Sequence, residues 1–232
     1  MWRLLHCVAW GWEHRRLAHK PVDRKAWAKR HVSMFTSLTC VLPCKKCCTN
    51  YADTIRSNRP TEYKTLQKNG LTRWLYQVHR TSRKKHNKSS PPFASVARKY
   101  KDGHRCQRIW SVDGWHAVLL TAATFPVSGG TTHDTRPYPT FYTHLSQFSP
   151  IPSQRRAFRE IANTIHHKTT RRELVRTVLR KLRSWNLMHD GTADSVLALL
   201  PHWRRYLSQQ RRIQPDYIRL CMYLHQVSKA GR

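Results

Sequence analysis

Cys44 and Cys47 form a Cys-x-x-Cys pair in "LPCKKCC", residues 42–48, directly after Pro43. Two thiols at that spacing can exchange electrons as a disulfide, supply half of a zinc site, or sit in a fold without chemistry of their own. A pair at a helix N-terminus has a physical logic, because the positive end of the helix dipole stabilises the first thiolate. Lys45 and Lys46 add positive charge between the two sulfurs, which favours thiolate and hence exchange. Zinc takes four ligands. Cys40, Cys44, Cys47 and Cys48 could provide some of them and His79 or His86 the remainder, but Cys47 and Cys48 are adjacent and fit one tetrahedron poorly. From these residues alone all three readings stand.

The elements that must position the pair are helical. Trp2, His6 and Trp10 recur at every fourth position, with Leu5 and Ala9 beside them, which predicts a helix over 1–19. Ala28, Val32, Phe35 and Leu38 predict a second over 24–40. A third begins at Cys44 and runs to about Ser57, where "SNRP" stops it. The fourth spans 70–86, with Trp74 and Val78 on one stripe and Leu75 and His79 next to it. Four helices with short connections make a small bundle.

"NKSSPPF" breaks this pattern and reads as a linker. Residues 103–152 are rich in Thr, Pro, Gly and Ser, and their one apolar stretch, "IWSVDGWHAVLLTAATF", distinguishes neither helix nor strand. Helices are expected again from Gln154 onward, through Leu174, Val178 and Leu182, then Val196–Leu207 and Ile213–Val227. The expected division is therefore a helical bundle over 1–100, an irregular linker or subdomain over 101–152, and a basic helical extension over 153–232. No internal repeat is visible.

The chain of 232 residues carries 43 Lys and Arg against 12 Asp and Glu, a formal charge of +31. Self-repulsion of that size calls for a polyanionic neighbour such as DNA, RNA or anionic lipid. With 39% hydrophobic residues and nine Trp, a packed core is still within reach. Seven cysteines are an odd number, and their spacings make no secreted disulfide framework. No apolar run approaches membrane-spanning length. The apolar N-terminus precedes its basic residues instead of following them, the reverse of a signal peptide. No acidic or Ser/His grouping points to hydrolysis, and no Gly-rich phosphate loop is present.

Three segments now combine in order: "WRLLH" at 2–6, "PCKKC" at 43–47 and "WLYQVH" at 74–79. Together they resemble the Erv/ALR family of FAD-linked sulfhydryl oxidases, whose pattern is W-x-x-L-H, then P-C-x-x-C, then W-L-x-x-x-H. The resemblance covers about residues 1–100. It implies a mainly α fold with a four-helix flavin-binding bundle at the N-terminus, followed here by a second, smaller helical region.

The resemblance also implies roles. Cys47 would lie against the flavin ring, and Cys44 would be the outer sulfur that an incoming thiolate attacks. Trp2, His6 and Trp12 would line the FAD, Trp74 would pack its pocket, and His79 would touch the adenosine portion. Lys88 matches the lysine that ends the family's H-N-x-V-N-x-x-x-x-K motif, and Phe93 and Tyr100 resemble the apolar and aromatic positions after it. Clients would be protein dithiols or a thioredoxin-like shuttle, dioxygen would accept the electrons, and a homodimer through the bundle is expected.

The departures from the family are specific. Arg80 and Arg83 replace the two asparagines of its motif, and guanidinium groups there suit the pyrophosphate of FAD. Arg56 stands where the first cysteine of a family staple would be, and no second Cys-x-x-Cys offers a shuttle. A shuttle built from Cys106 and Cys221 would need tertiary proximity. Such pared-down forms with an unrelated extension resemble members from large DNA viruses. They would work in the virion or in the infected cell's cytoplasm or nucleus, whereas cellular members work in the mitochondrial intermembrane space or the endoplasmic reticulum.

A different class competes. A basic nucleic-acid-binding or virion structural protein would use the 15 His and the scattered Trp and Tyr for stacking and phosphate contact, with the cysteines incidental or holding zinc. Both can hold at once, with the oxidase in the first hundred residues and non-specific DNA or RNA contact elsewhere.

Overall fold

A computed structural model describes residues 1–15, 21–42, 45–110 and 136–166, together with 114, 117, 118, 121, 122, 125, 169, 173, 174, 177, 178 and 181. The described residues form nine helices and no strand. The protein is mainly α. In chain order the helices are α1 (Trp2–Arg15), α2 (Pro21–Val41), α3 (Lys45–Ser57), α4 (Glu62–Leu66), α5 (Gly70–Lys84), α6 (Phe93–Lys101), α7 (Gly103–Ile109), α8 (Pro137–Phe148) and α9 (Pro152–Thr164).

The sequence pattern of α1 describes one apolar face, but every residue from Leu4 to Trp10 is buried. α1 is therefore a central helix. It packs against α5, α6 and α7, while α2 packs against α3, α4 and α8. Burial on all sides explains why Cys7 and Val8 are as inaccessible as Leu4 and Leu5.

Local chemistry sets the remaining boundaries. Thr61 caps α4 by accepting a hydrogen bond from the Lys64 N–H at 3.2 Å, and Asp102 caps α7 by accepting from the His104 N–H at 2.9 Å. Proline opens α8 and α9, where its fixed φ and missing N–H are harmless. The start of α5 lies so close to Lys64 that a Cβ on Gly70 would collide with its carbonyl oxygen, so only glycine fits.

Four helices were not expected. The short α4 occupies the connection before Gly70, α6 begins within the "NKSSPPF" linker at Phe93, and α7 and α8 lie in the segment for which neither helix nor strand was expected. α8 packs on α2 and α9. The buried apolar cluster runs without interruption from Leu4 on α1 to Phe158 and Ile161 on α9, and reaches Leu174 and Val178. The expected helical stripe of Leu174 and Val178 is buried, whereas Leu182, Val196–Leu207, Ile213–Val227 and Cys221 lie outside the described residues, as does Cys44. No helix among the described residues is long and apolar enough to cross a membrane.

Candidate functional site

α1 and α5 bring the two Trp/His segments together. Trp2 stacks flat on His79, with ring centroids 4.3 Å apart and planes 7° from parallel. His6 Nε2 and His79 Nδ1 are 3.1 Å apart, so one nitrogen donates and the other accepts. His6 also stacks on Tyr100 of α6, with centroids 4.9 Å apart. The result is a continuous wall of four rings from three helices: Trp2, His79, His6 and Tyr100.

Burial holds this wall neutral. His6 is 2% exposed, and burial, the neighbouring His79 and then Lys99 press its pKa down from 6.5 to about 3. His79 is half-buried, and burial followed by the Arg83 charge lowers it from 6.5 to about 4. Two neutral imidazoles can share one proton in a hydrogen bond, whereas two imidazolium rings cannot. His6 Nδ1 is buried without a hydrogen-bond partner. A buried polar atom of this kind is rare and is suited to a ligand group.

Next to His79 along α5, Arg80 enters a cleft of about 380 Å³ lined by Tyr76, Arg80, Lys84, Lys88, Ser90 and Pro92, none of them a ring of the wall. Tyr76, Arg80 and Lys84 succeed one another at four-residue steps on α5, so they share one face. Lys88 is returned to that face by the end of the helix. The Lys88 N–H donates to Arg83 C=O and the Asn87 N–H to Lys84 C=O, each at 3.0 Å, with Asn87 in the left-handed region at φ 53°. This pair of bonds is a Schellman closure, which needs glycine or asparagine at the left-handed position. Arg83 is not part of the cleft lining. Its Nε donates to Ser89 C=O at 2.7 Å and pins the turn that carries Lys88 and Ser90.

The other expected residues sit elsewhere. Trp12 is buried, donates from Nε1 to Thr65 C=O at 2.9 Å, and leans on His31. It ties α1 to α4 and is not part of the four-ring wall. Trp74 donates from Nε1 to Asn58 C=O at 2.7 Å and meets Phe35 edge-on, locking α5 onto the end of α3. Phe93 is a hub of its own, with Trp10 stacked on it, Tyr76 edge-on to it and the Arg73 guanidinium 4.8 Å from its centroid. Tyr76 and Lys84 had escaped notice, although the four-residue spacing through Tyr76, Arg80 and Lys84 to Lys88 was visible in the sequence.

Cys47 is disulfide-bonded, at the start of α3. Cys44, the expected partner, lies outside the described residues. Cys40 and Cys48 are thiols. The Cys48 thiol donates to Leu42 C=O at 3.3 Å, and burial, with a lesser contribution from Cys40, pushes its pKa up to about 11. Cys48 thus ties the start of α3 back to Leu42, just past the end of α2, and is held in its unreactive, protonated form. Among the described residues no three His, Cys, Asp or Glu side chains converge as a metal-ligand set. Comparison of the chain with protein-family models, with curated proteins and with solved structures finds no match.

Proposed function

We propose that this protein is an FAD-dependent sulfhydryl oxidase of the Erv/ALR type that makes disulfide bonds in client proteins. The observation that carries the reading is the contact between His6 and His79. It unites the first and third segments of the family pattern, which are far apart in the chain, in a single aromatic wall. The residues suit the dinucleotide in two further ways. The buried, unpartnered Nδ1 of His6 lies in that wall, and three cationic side chains converge on the adjoining cleft.

The FAD would lie with its rings along Trp2, His79, His6 and Tyr100 and its pyrophosphate at Arg80, Lys84 and Lys88, where guanidinium and ammonium groups suit phosphate oxygens. Arg83 acts at one remove, by holding the turn that presents Lys88. Trp12 and Trp74 set the spacing of the helices. When bound, the flavin supplies two-electron transfer from a reduced thiol pair to dioxygen, with hydrogen peroxide as product.

The chain's own chemistry is disulfide exchange. A client thiolate attacks Cys44 of a Cys44–Cys47 disulfide, and Cys47 leaves as a thiolate. A second client thiolate then displaces Cys44, so the client is oxidised by two electrons and the pair is reduced by two. The helix N-terminus and the lysines between the sulfurs favour both leaving thiolates. Cys48, protonated and bonded to Leu42, stays out of the exchange.

Thiol-dependent oxygen consumption tests the proposal. The parent is expected to consume oxygen with a small dithiol as donor, and Cys44→Ser and Cys47→Ser to lose that activity. Equal rates in all three proteins would refute it.

Polyanion contact has separate support. Arg98, Lys99, Lys101 and Arg105 on α6 and α7 are all exposed, and their charge suits non-specific contact with DNA or RNA. A binding constant that falls steeply with salt would support this second role without bearing on the first.

A further inference from the structure

Cys7 and Cys106 are 99 positions apart in the chain, yet α1 and α7 pack together and the two thiols are hydrogen-bonded to each other. Cys7 is buried at 2% exposure, while Cys106 is half-buried at the edge of the same cluster. The Cys106 thiol also donates to Tyr100 C=O at 3.3 Å. Cys106 is therefore the half-buried member of the pair, the one a small solute can approach, and Cys7 is the buried one.

We propose that Cys7 and Cys106 form a second redox site, a dithiol that a hydroperoxide converts into a disulfide joining α1 to α7. Cys106 reacts first. Its sulfur attacks the peroxide O–O bond, giving a sulfenic acid and water. The Cys7 sulfur then attacks that sulfenic sulfur, forming the S–S bond and releasing a second water. Two thiols lose two electrons and two protons, and one hydrogen peroxide becomes two waters. The sulfurs must close from hydrogen-bond contact to about 2.05 Å, a small movement for two side chains already facing each other.

The surroundings favour Cys106 as the entry point. The hydrogen bond from Cys7 lowers its pKa and Arg105 lowers it further, against the opposing effects of burial and of Asp102. Cys48, by contrast, is bonded to Leu42 and held protonated. Closing the bond would tether α7 to α1 at the sixth residue after Tyr100, which stacks on His6, while the Cys106 hydrogen bond to Tyr100 C=O is given up with the thiol proton. Oxidation would rigidify one wall of the candidate flavin site. Hydrogen peroxide is the product of the proposed oxidase, but the site needs only added peroxide. It can therefore be tested whether or not the chain binds flavin.

The full chain, reduced and then freed of reductant, is treated with hydrogen peroxide, alkylated under denaturing conditions and digested with trypsin without reduction. The expected product joins the peptide 4–15, which contains Cys7, to the peptide 106–108, which contains Cys106, and it disappears on reduction. The melting temperature of the parent should rise by several degrees on oxidation, because the cross-link closes a long loop. Cys106→Ser, a change at a half-buried position, should abolish both the linked peptide and the shift, while Cys48→Ser should retain both. Peroxide-treated parent in which Cys7 remains fully alkylated would overturn the proposal, whether Cys106 is untouched or oxidised to the sulfinic acid.

Discussion

His6 on α1 and His79 on α5 share a hydrogen bond of 3.1 Å across 73 positions of sequence. Both rings are pressed below the ordinary histidine range, His6 to about 3 and His79 to about 4, chiefly by burial. An imidazole harder to protonate in the fold than in the unfolded chain makes stability depend on pH in one direction. Above about pH 6.5 both states are neutral and stability is full. As pH falls below that value the unfolded chain takes up protons that the fold excludes, and stability declines until the folded groups titrate near 4 and 3.

Urea unfolding across this window should show that decline. A fully buried imidazole contributes a slope of about 1.4 kcal/mol per pH unit, and the half-buried His79 contributes less. His6→Leu should flatten the profile between pH 6.5 and 4. An unchanged slope in that variant would show that His6 is not the group responsible.

Arg80 and Arg83 stand three residues apart on α5, yet they differ in what they touch. Arg80 lines the cleft, and Arg83 is bonded to Ser89 C=O. Arg80→Ala and Lys88→Ala should each weaken FAD binding by roughly 1.5–3 kcal/mol, about ten- to a hundredfold in Kd. Arg83→Ala should weaken it less, and should loosen the turn at residues 86–90, seen as faster amide exchange there. Fluorescence titration with added FAD measures the first effect. Equal losses from Arg80→Ala and Arg83→Ala would contradict the distinction.

Trp12 and Trp74 each donate an indole N–H to a backbone carbonyl, buried at Thr65 and half-buried at Asn58. Replacement by Phe removes the donor and leaves the carbonyl unsatisfied, which should destabilise the fold by about 1–3 kcal/mol. Chemical denaturation gives the value. Trp12→Phe is expected to keep the parent's affinity for FAD, since Trp12 stands away from the four-ring wall.

These cases show what could be read from the sequence and what could not. Helical periodicity found α1, α2 and α5, because each carries apolar residues at three- and four-residue steps, whereas α3 was legible from its boundaries, Pro43 before it and "SNRP" after it. Periodicity did not by itself join His6 to His79; the order of the segments "WRLLH", "PCKKC" and "WLYQVH" did. Periodicity also misjudged α1 as one-faced, since a helix surrounded by neighbours buries Cys7 and Val8 as fully as Leu4 and Leu5. α6 was hidden by the prolines before Phe93, although proline is tolerated at a helix start, and α7 by Gly103, ahead of which Asp102 supplies the cap. Trp12 was an expected site residue only through the resemblance, and in the fold its ring packs on His31 and its N–H reaches Thr65. The nearness of Cys7 and Cys106 depends on how α7 folds back along α1, which no local pattern encodes.

The partner of Cys47 can be read by mass spectrometry. Trypsin cuts after Lys45 and Lys46, so a Cys44–Cys47 disulfide would hold peptide 31–45 to peptide 47–56. That linked pair is expected without reduction. A link from 47–56 to peptide 220–229, which contains Cys221, would show that the Cys-x-x-Cys pair is not the disulfide.

The central claim is that the wall of Trp2, His79, His6 and Tyr100 with its adjoining cationic cleft holds a flavin, and the visible absorbance spectrum of the purified chain tests it most directly. Flavin absorbance that stays with the protein through gel filtration, and is diminished by His6→Leu and by Arg80→Ala, is the predicted result. A colourless protein that takes up no added FAD would contradict the account.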